Sequence, residues 1–274
     1  MTAFVSPNAP LGRDVSYPDS YDATLLFPID RKLNREKLDI PHDWYGDDIW
    51  NAYEISWLDG KGKPIVGMAR FTLPAASPRL IESKSFKLYL NSYNDERFAA
   101  PSLVRERMTA DLSAAAGAPV KVEINTNIRQ QDFLCAPMDG ICIDDADIEI
   151  TAYRPMPELL HCVAGAGTIT ETLMSDLLKS NCPVTGQPDW GSVQITYTGQ
   201  QIDRSALLEY IVSLRQHNEF HEHCVEQLYC DIWTSCQPES LLVYARYTRR
   251  GGLDINPWRS SRPTTVSQTR TPRQ

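Results

Sequence analysis

Cys182 and Asp189 stand close together in Leu-Leu-Lys179-Ser-Asn-Cys182-Pro183-Val-Thr-Gly186-Gln-Pro188-Asp189-Trp-Gly-Ser. Pro183 biases Cys182 toward an extended backbone, and Gly186 with Pro188 turns the chain back toward a following strand. A turn of this length can bring Asp189 beside the thiol. That suits a nucleophile with an acid/base partner, because thiolate is the reactive form and an ordinary thiol has a pKa of about 8.5. Lys179 is near enough in sequence to help lower it. A buried cysteine in a tight turn, with Asp189 as a turn residue, satisfies the same pattern.

Two further clusters carry chemistry. His217-Asn-Glu219-Phe-His221-Glu222-His223-Cys224 holds three of the five histidines. Placed on a helix, His217 and His221 at i, i+4 share a face and would bind zinc if Cys182 or Cys224 joined them. Alternatively, His221 and Glu222 read a polar heterocycle, a carboxylate meeting adjacent ring N–H and amino donors with both oxygens; a solvated helix start is the third reading. In Glu82-Ser83-Lys84-Ser85-Phe86-Lys87, two lysines at i, i+3 among hydroxyls make a phosphate cradle or an ordinary polar helix entry. No GxGxxG follows a strand and Gly165-Ala-Gly167 is too short, so a nicotinamide cofactor must be held without a Rossmann loop.

The elements that would position these residues fall into two related halves. Trp50–Leu58 aligns with Trp190–Thr198, both alternating as strands and each followed by a glycine-bearing turn, Asp59-Gly60-Lys61-Gly62 and Gly199. Tyr89-Leu-Asn-Ser-Tyr resembles Tyr210-Ile-Val-Ser-Leu, and helical stretches follow with Asp111 and Asp231 at comparable positions. Leu207, Ile211 and Leu214 mark one helix face behind Asp203 as N-cap; Phe220, Cys224, Leu228 and Ile232 mark another. The pattern breaks at Tyr153-Arg-Pro-Met-Pro157, which divides the chain into residues 1–155 and 156–274.

Composition bounds the rest. The 274 residues are 42% hydrophobic and 23% charged, ordinary for a soluble globular chain. No apolar run is long enough to span a bilayer, and the N-terminus lacks a secretory pattern, so the expectation is cytoplasmic. Seven scattered cysteines without a CxxC pair fit a reducing compartment, with Cys224, Cys230 and Cys236 as small core hydrophobes. The net charge is −8, yet Tyr244–Gln274 carries seven arginines against one acid, leaving the body strongly acidic. Such a body argues against long nucleic acid as ligand. Arg249-Arg250-Gly251 could receive a phosphate, whereas Arg259, Arg262, Arg270 and Arg273 read as a solvated, disordered tail.

Taken together, Glu82-Ser-Lys-Ser-Phe-Lys-Leu-Tyr-Leu-Asn-Ser, Ser180-Asn-Cys-Pro-Val-Thr-Gly-Gln-Pro-Asp-Trp-Gly-Ser, Phe220-His-Glu and Tyr247-Thr-Arg-Arg-Gly-Gly-Leu-Asp-Ile-Asn-Pro-Trp-Arg resemble the 7-cyano-7-deazaguanine reductase family in its longer, two-module form. The resemblance runs from about Tyr21 to Arg259. It implies an α+β chain of tandem tunnelling-fold modules, antiparallel sheets with helices packed on one face, assembling into a barrel, most simply as a homodimer. It also implies NADPH-dependent four-electron reduction of the nitrile of 7-cyano-7-deazaguanine to an aminomethyl group, in queuosine biosynthesis. Carried over by motif, Cys182 forms a thioimide and Asp189 moves the proton. Ile81, Glu82, Ser83, His221 and Glu222 contact the deazaguanine, Ser83, Lys84, Arg250 and Gly251 contact NADPH, and no metal, nucleic acid or membrane is called for. Two other readings stay open at this point: a zinc hydrolase of the GTP cyclohydrolase kind using Cys182 and the histidine cluster, and a non-catalytic pterin- or purine-binding module.

Overall fold

The computed structural model describes residues 18–128 and 135–274; Met1–Tyr17, on which the signal-peptide reading rests, lie outside them. The strands are β1 (Pro28–Asp30), β2 (Tyr45–Leu58), β3 (Pro64–Pro74), β4 (Arg79–Ile81), β5 (Lys121–Asn125), β6 (Ile141–Cys142), β7 (Thr168–Ser175), β8 (Lys179–Asn181), β9 (Pro188–Gln200), β10 (Ser240–Tyr247) and β11 (Leu253–Ser260). The helices are α1 (Lys32–Arg35), α2 (Ser83–Asn91), α3 (Pro101–Ala116), α4 (Arg204–Ser213) and α5 (His221–Cys236). The architecture is α+β, as expected. Its main sheet runs β5-β3-β2-β11-β10-β9-β7-β6, antiparallel except for the short β6–β7 pairing, with β8 folded onto β9.

Alternation in the long strands sends one set of side chains toward the helices. On β2 these are Trp50 and Ala52, then, after a bulge between Ala52 and Ile55, Ile55 and Trp57. The extra residue resets the parity, so the inward face continues past the bend. Phe71 and Ala69 sit opposite Trp50 and Ala52 on β3, and α2 and α3 cover them with Phe86, Tyr89, Val104 and Met108. A second cluster forms where α4 and α5 cover β9 and β10, through Leu207, Ile211, Cys224, Leu228, Ile232, Val193 and Val243. Asp203 caps α4, its side chain accepting from the N–H of Ala206. Both helix faces read from the periodicity are therefore present.

Three expectations change. The strand equivalence is shifted by one: β2–β3 precede α2 and α3, whereas β7–β9 precede α4 and α5, so Trp190–Thr198 corresponds in topology to β3 rather than to the strand containing Trp50. Local alternation looks alike in any half-buried strand, which is why the two segments aligned. Gly199 lies inside β9 instead of in a turn. The basic tail is solvated only in part: Arg262 and Arg273 are exposed. Arg259 is fully buried at the end of β11, and Gln274 is 6% exposed. The Gln274 side chain accepts from Arg246 Nε at 2.6 Å and donates to Asn256 Oδ1 at 2.6 Å, across the sheet face opposite the helices.

Arg259 belongs to a buried ionic cluster that joins the halves. It pairs with Glu226 of α5 at 2.7 Å and Asp48 of β2 at 2.9 Å, while Arg35 reaches Glu226 at 2.6 Å and Arg31 reaches Asp48 at 2.5 Å. β11 pairs with β2 over eight residues, from Leu253↔Ala52 to Ser260↔Tyr45. Leu253 and Ile255 accordingly sit in the hydrophobic cluster of α2 and α3. None of the described helices is long and apolar enough to cross a membrane.

Candidate active site

The β8–β9 hairpin presents the cysteine. Ser180 faces Asp189 and Asn181 faces Pro188 in register. The loop closes with the Cys182 N–H donating to Gln187 O at 2.8 Å and the Gly186 N–H donating to Cys182 O at 3.0 Å. Gly186 takes φ +67°, a left-handed turn that a side chain would disfavour. The same strand then holds the next constellation: Asn181 N–H donates to His217 O at 2.8 Å and Glu219 N–H donates to Asn181 O at 3.1 Å. This bridge sets the start of α5, and with it His221 and Glu222, beside the loop.

Cys182, Asp189, His221 and Glu222 line one small cavity, partly open to solvent. Its floor is Trp50 and Ile255, register partners across the β2–β11 seam, and Ile81 and Ser83 from the α2 entry complete the wall. Two cysteine readings are thereby separated. Cys182 borders this space, whereas Cys224 is fully enclosed and burial pushes its thiol up to about 12, a poor nucleophile.

Asp189 is nearly buried. Burial alone would raise its pKa, but His221, with Nε2 3.4 Å away, and Arg250, with Nη1 at 2.5 Å, outweigh that and hold the carboxyl below its ordinary range. His221 is fixed by stacking on Tyr247 at 3.9 Å between ring centroids. Glu222 is the opposite case. Its carboxylate is buried, Oε1 has no hydrogen-bond partner, and burial together with the charge of Asp48 raises its pKa. A buried acceptor without a donor is costly unless a ligand supplies one.

A second and much larger cavity, of about 420 Å³, adjoins the first, sharing Ser83, His221, Arg250 and Ile255 with it. Lys84, Lys87, Arg249, Arg250 and Gly251 line it. Arg250 also donates to Gln187 at 2.6 Å, tying the β10–β11 turn to the cysteine loop. Gly251 has φ +59°, and a Cβ there would come within 2.7 Å of Lys87 Nζ, so backbone and lysine meet closely at this wall.

Some sequence-based assignments move. Glu82 does not line the thiol cavity; its two oxygens accept from the N–H groups of Lys84 and Ser85, each at 2.7 Å, as the cap of α2. Lys179 turns away from Cys182, donating to Asn181 Oδ1 and Arg215 O. His217 ends the turn before α5, so it shares no helix face with His221, and burial lowers its pKa. Among the described residues no group of three His, Cys, Asp or Glu side chains is arranged to hold a metal ion. Sequence reasoning missed Trp50 and Ile255, whose meeting depends on the seam, and Glu219, another cavity-wall carboxylate. Glu219 was visible only as one acid in a polar cluster.

Residues 17–124 match the family described as nitrile reductase, 7-cyano-7-deazaguanine-reductase N-term, and residues 188–265 match that described as QueF-like protein. The NADPH-dependent 7-cyano-7-deazaguanine reductase of Bordetella avium is 59% identical over 93% of both chains. The reductase of the same name from Bordetella pertussis is 58% identical over 93% of both. The chain belongs to the 7-cyano-7-deazaguanine reductase family. A further family member, from Acidovorax ebreus, is 50% identical over 96% of this chain and 97% of its own. The first matched segment contains Ile81, Ser83 and Lys84, the second Asp189, Glu222 and Arg250, and Cys182 lies between them.

Proposed function

We propose that this chain is an NADPH-dependent reductase acting on the nitrile of 7-cyano-7-deazaguanine, through a thioimide at Cys182, within queuosine biosynthesis. The observation that carries the reading is the shared cavity: a thiol, a charge-paired carboxylate and a buried carboxylate with one unpartnered oxygen face one space.

A nitrile carbon accepts hydride poorly until a nucleophile adds to it. Asp189, held ionised by Arg250 and His221, takes the Cys182 proton as sulfur attacks the carbon, then delivers that proton to the nitrile nitrogen. The S–H bond is thereby added across the triple bond, leaving a C=N centre. Two NADPH, bound in turn, would supply the two hydrides of the four-electron reduction, one each. Between them the C–S bond breaks, the Cys182 thiolate leaves the substrate carbon, and the imine so formed must be kept from water, which a cavity walled by Trp50, Ile255 and Phe220 favours.

Glu222 is the acceptor for the adjacent ring N–H and amino donors of the base, with Ile81, Ser83 and His221 around it. Glu82 acts through the α2 entry it caps. Ser83, Lys84, Lys87, Arg250 and Gly251 receive the cofactor, whose phosphates suit a wall of four basic side chains. The two halves, residues 1–155 and 156–274, are tandem tunnelling-fold modules, with β5 and the β7/β6 edge free to close a barrel in a cytoplasmic homodimer.

Cys182→Ala should abolish both NADPH consumption and the covalent adduct seen by intact mass. Substantial retained reduction overturns the assignment.

A further inference from the structure

Glu219 is a carboxylate in the cavity wall that the scheme above does not use. It is 8% exposed, and its main chain is bonded to Asn181, the residue before the nucleophile. Its Oε1 accepts from the Phe220 N–H at 2.9 Å and from Asn34 Nδ2 at 3.2 Å. Asn34 is itself buried and comes from α1, 185 positions away in the chain.

The orientation of Asn34 follows from hydrogen-bond inventory. Its Oδ1 accepts from Lys37 Nζ at 3.1 Å, and an ammonium can only donate, so the amide nitrogen must point the other way. That nitrogen has two hydrogens and two neighbours, Glu219 Oε1 and His223 Nδ1, the latter at 2.7 Å. His223 Nδ1 also lies 3.3 Å from Glu219 Oε1. Oε1 of Glu219 is pinned by two donors, while no described residue is bonded to Oε2.

The other acidic groups of the cavity define what Glu219 is left to do. Asp189 is paired with Arg250 and His221. Glu222 has one buried free oxygen. A deazaguanine carries N–H donors on both rings, and a carboxylate spanning the pyrimidine N–H and the amino group cannot also reach the pyrrole N–H. The nitrile is on the pyrrole ring, so the group tied to the nucleophile's own loop is the one placed to meet that ring's donor.

We propose that Glu219, clamped by Asn34 of the N-terminal half, accepts the pyrrole N–H of the substrate and so restricts the site to the free base over its N-glycosides. The proposal rests on the cavity being the nitrile site. Asn34 is then a positioning residue and Glu219 a specificity determinant. A site built to receive a donor rejects an analogue lacking it, because the buried acceptor is left unpaired.

The test compares 7-cyano-7-deazaguanine with its furan analogue, in which ring oxygen replaces the pyrrole N–H without added bulk. Affinity and adduct formation are measured for the wild type, Glu219→Gln and Asn34→Ala. The wild type should prefer the parent by about 10- to 100-fold, the worth of a hydrogen bond to a charged group. Glu219→Gln should bring the ratio to near one or below, since an amide can donate to the furan oxygen. Asn34→Ala should shift it the same way by a smaller factor, with NADPH affinity unchanged in both, a split that mere loosening of the fold would not produce. An unchanged ratio in Glu219→Gln, with the Cys182 adduct still forming, overturns the role of Glu219 alone. Absence of any adduct in the wild type overturns the nitrile-site reading, and this proposal with it.

Discussion

Tyr89 of α2 donates to Asp111 of α3 at 2.7 Å, and Tyr210 of α4 donates to Asp231 of α5. α3 and α5 both span 16 residues, and the aspartate stands eleven positions after the cap residue in each, Ala100 in one and Phe220 in the other. Glu82 and Asp203 occupy the same cap position, seven residues before the tyrosine. The helix starts that follow these caps differ. α5 opens with His221-Glu222, α3 with Pro101-Ser102; α2 opens with Ser83-Lys84, α4 with Arg204-Ser205. One packing solution is used twice, while the groups around the thiol cavity are split, Asp189, His221 and Glu222 coming from the C-terminal half and the basic helix entry from the N-terminal half. Duplicated packing leaves each copy free to lose what the other supplies.

Asp189→Ala against Ser102→Ala is the sharpest test of that division. We expect the first to lower kcat by about 10²- to 10⁴-fold, the range for general acid–base catalysis, and the second, an exposed position at the matching start of α3, to leave it unchanged. Next comes the joint itself. Glu226→Gln leaves Arg31, Arg35 and Arg259 short of a buried partner and should cost about 3–5 kcal/mol in denaturant unfolding, the scale for breaking a buried pair. Burial works against ionised Glu226, but Arg259, Arg35 and His223 prevail and hold its pKa far below the carboxylate range. A depressed acid stabilises the fold above its unfolded pKa and is lost as pH falls through the folded value. The wild type should therefore keep this contribution at neutral pH and lose it only in strong acid, and the variant should show a flatter acid limb. Tyr89→Phe and Tyr210→Phe should each cost about 1–2 kcal/mol by removing one hydrogen bond to a half-buried carboxylate that keeps another partner, Tyr21 for Asp111 and Gln227 for Asp231; a cost in only one half would break the equivalence. The smallest effect is expected at Lys87→Ala, about a two- to fivefold loss of NADPH affinity that shrinks with added salt, with binding of the base untouched.

Much of this was legible in the sequence because it is local. The Cys182–Asp189 hairpin follows from Pro183, Gly186 and Pro188; the Asp203 cap and the helix faces follow from spacing; the matching places of Asp111 and Asp231 follow from internal likeness. What escaped depends on partners far apart in the chain. Arg259 looked like a tail residue because nothing nearby announces Asp48 or Glu226. The cap that Glu82 places on α2 escaped because the backbone N–H groups it meets carry no signature. His217 was counted with His221 because a helix start set by the Asn181 bridge is invisible to periodicity. Trp190–Thr198 was matched to the wrong strand because alternation alone does not say which member of a hairpin is being read.

The seam between β2 and β11 has a consequence for how the gene can be cut. A fragment ending near residue 155 would lose the strand that covers β2, along with Leu253 and Ile255. It would offer solvent a long ribbon of unpaired main-chain groups flanked by tryptophans, the kind of surface that recruits other chains. Expressed alone, such a piece should precipitate or dimerise through that ribbon, and adding the remainder in trans should rescue its solubility.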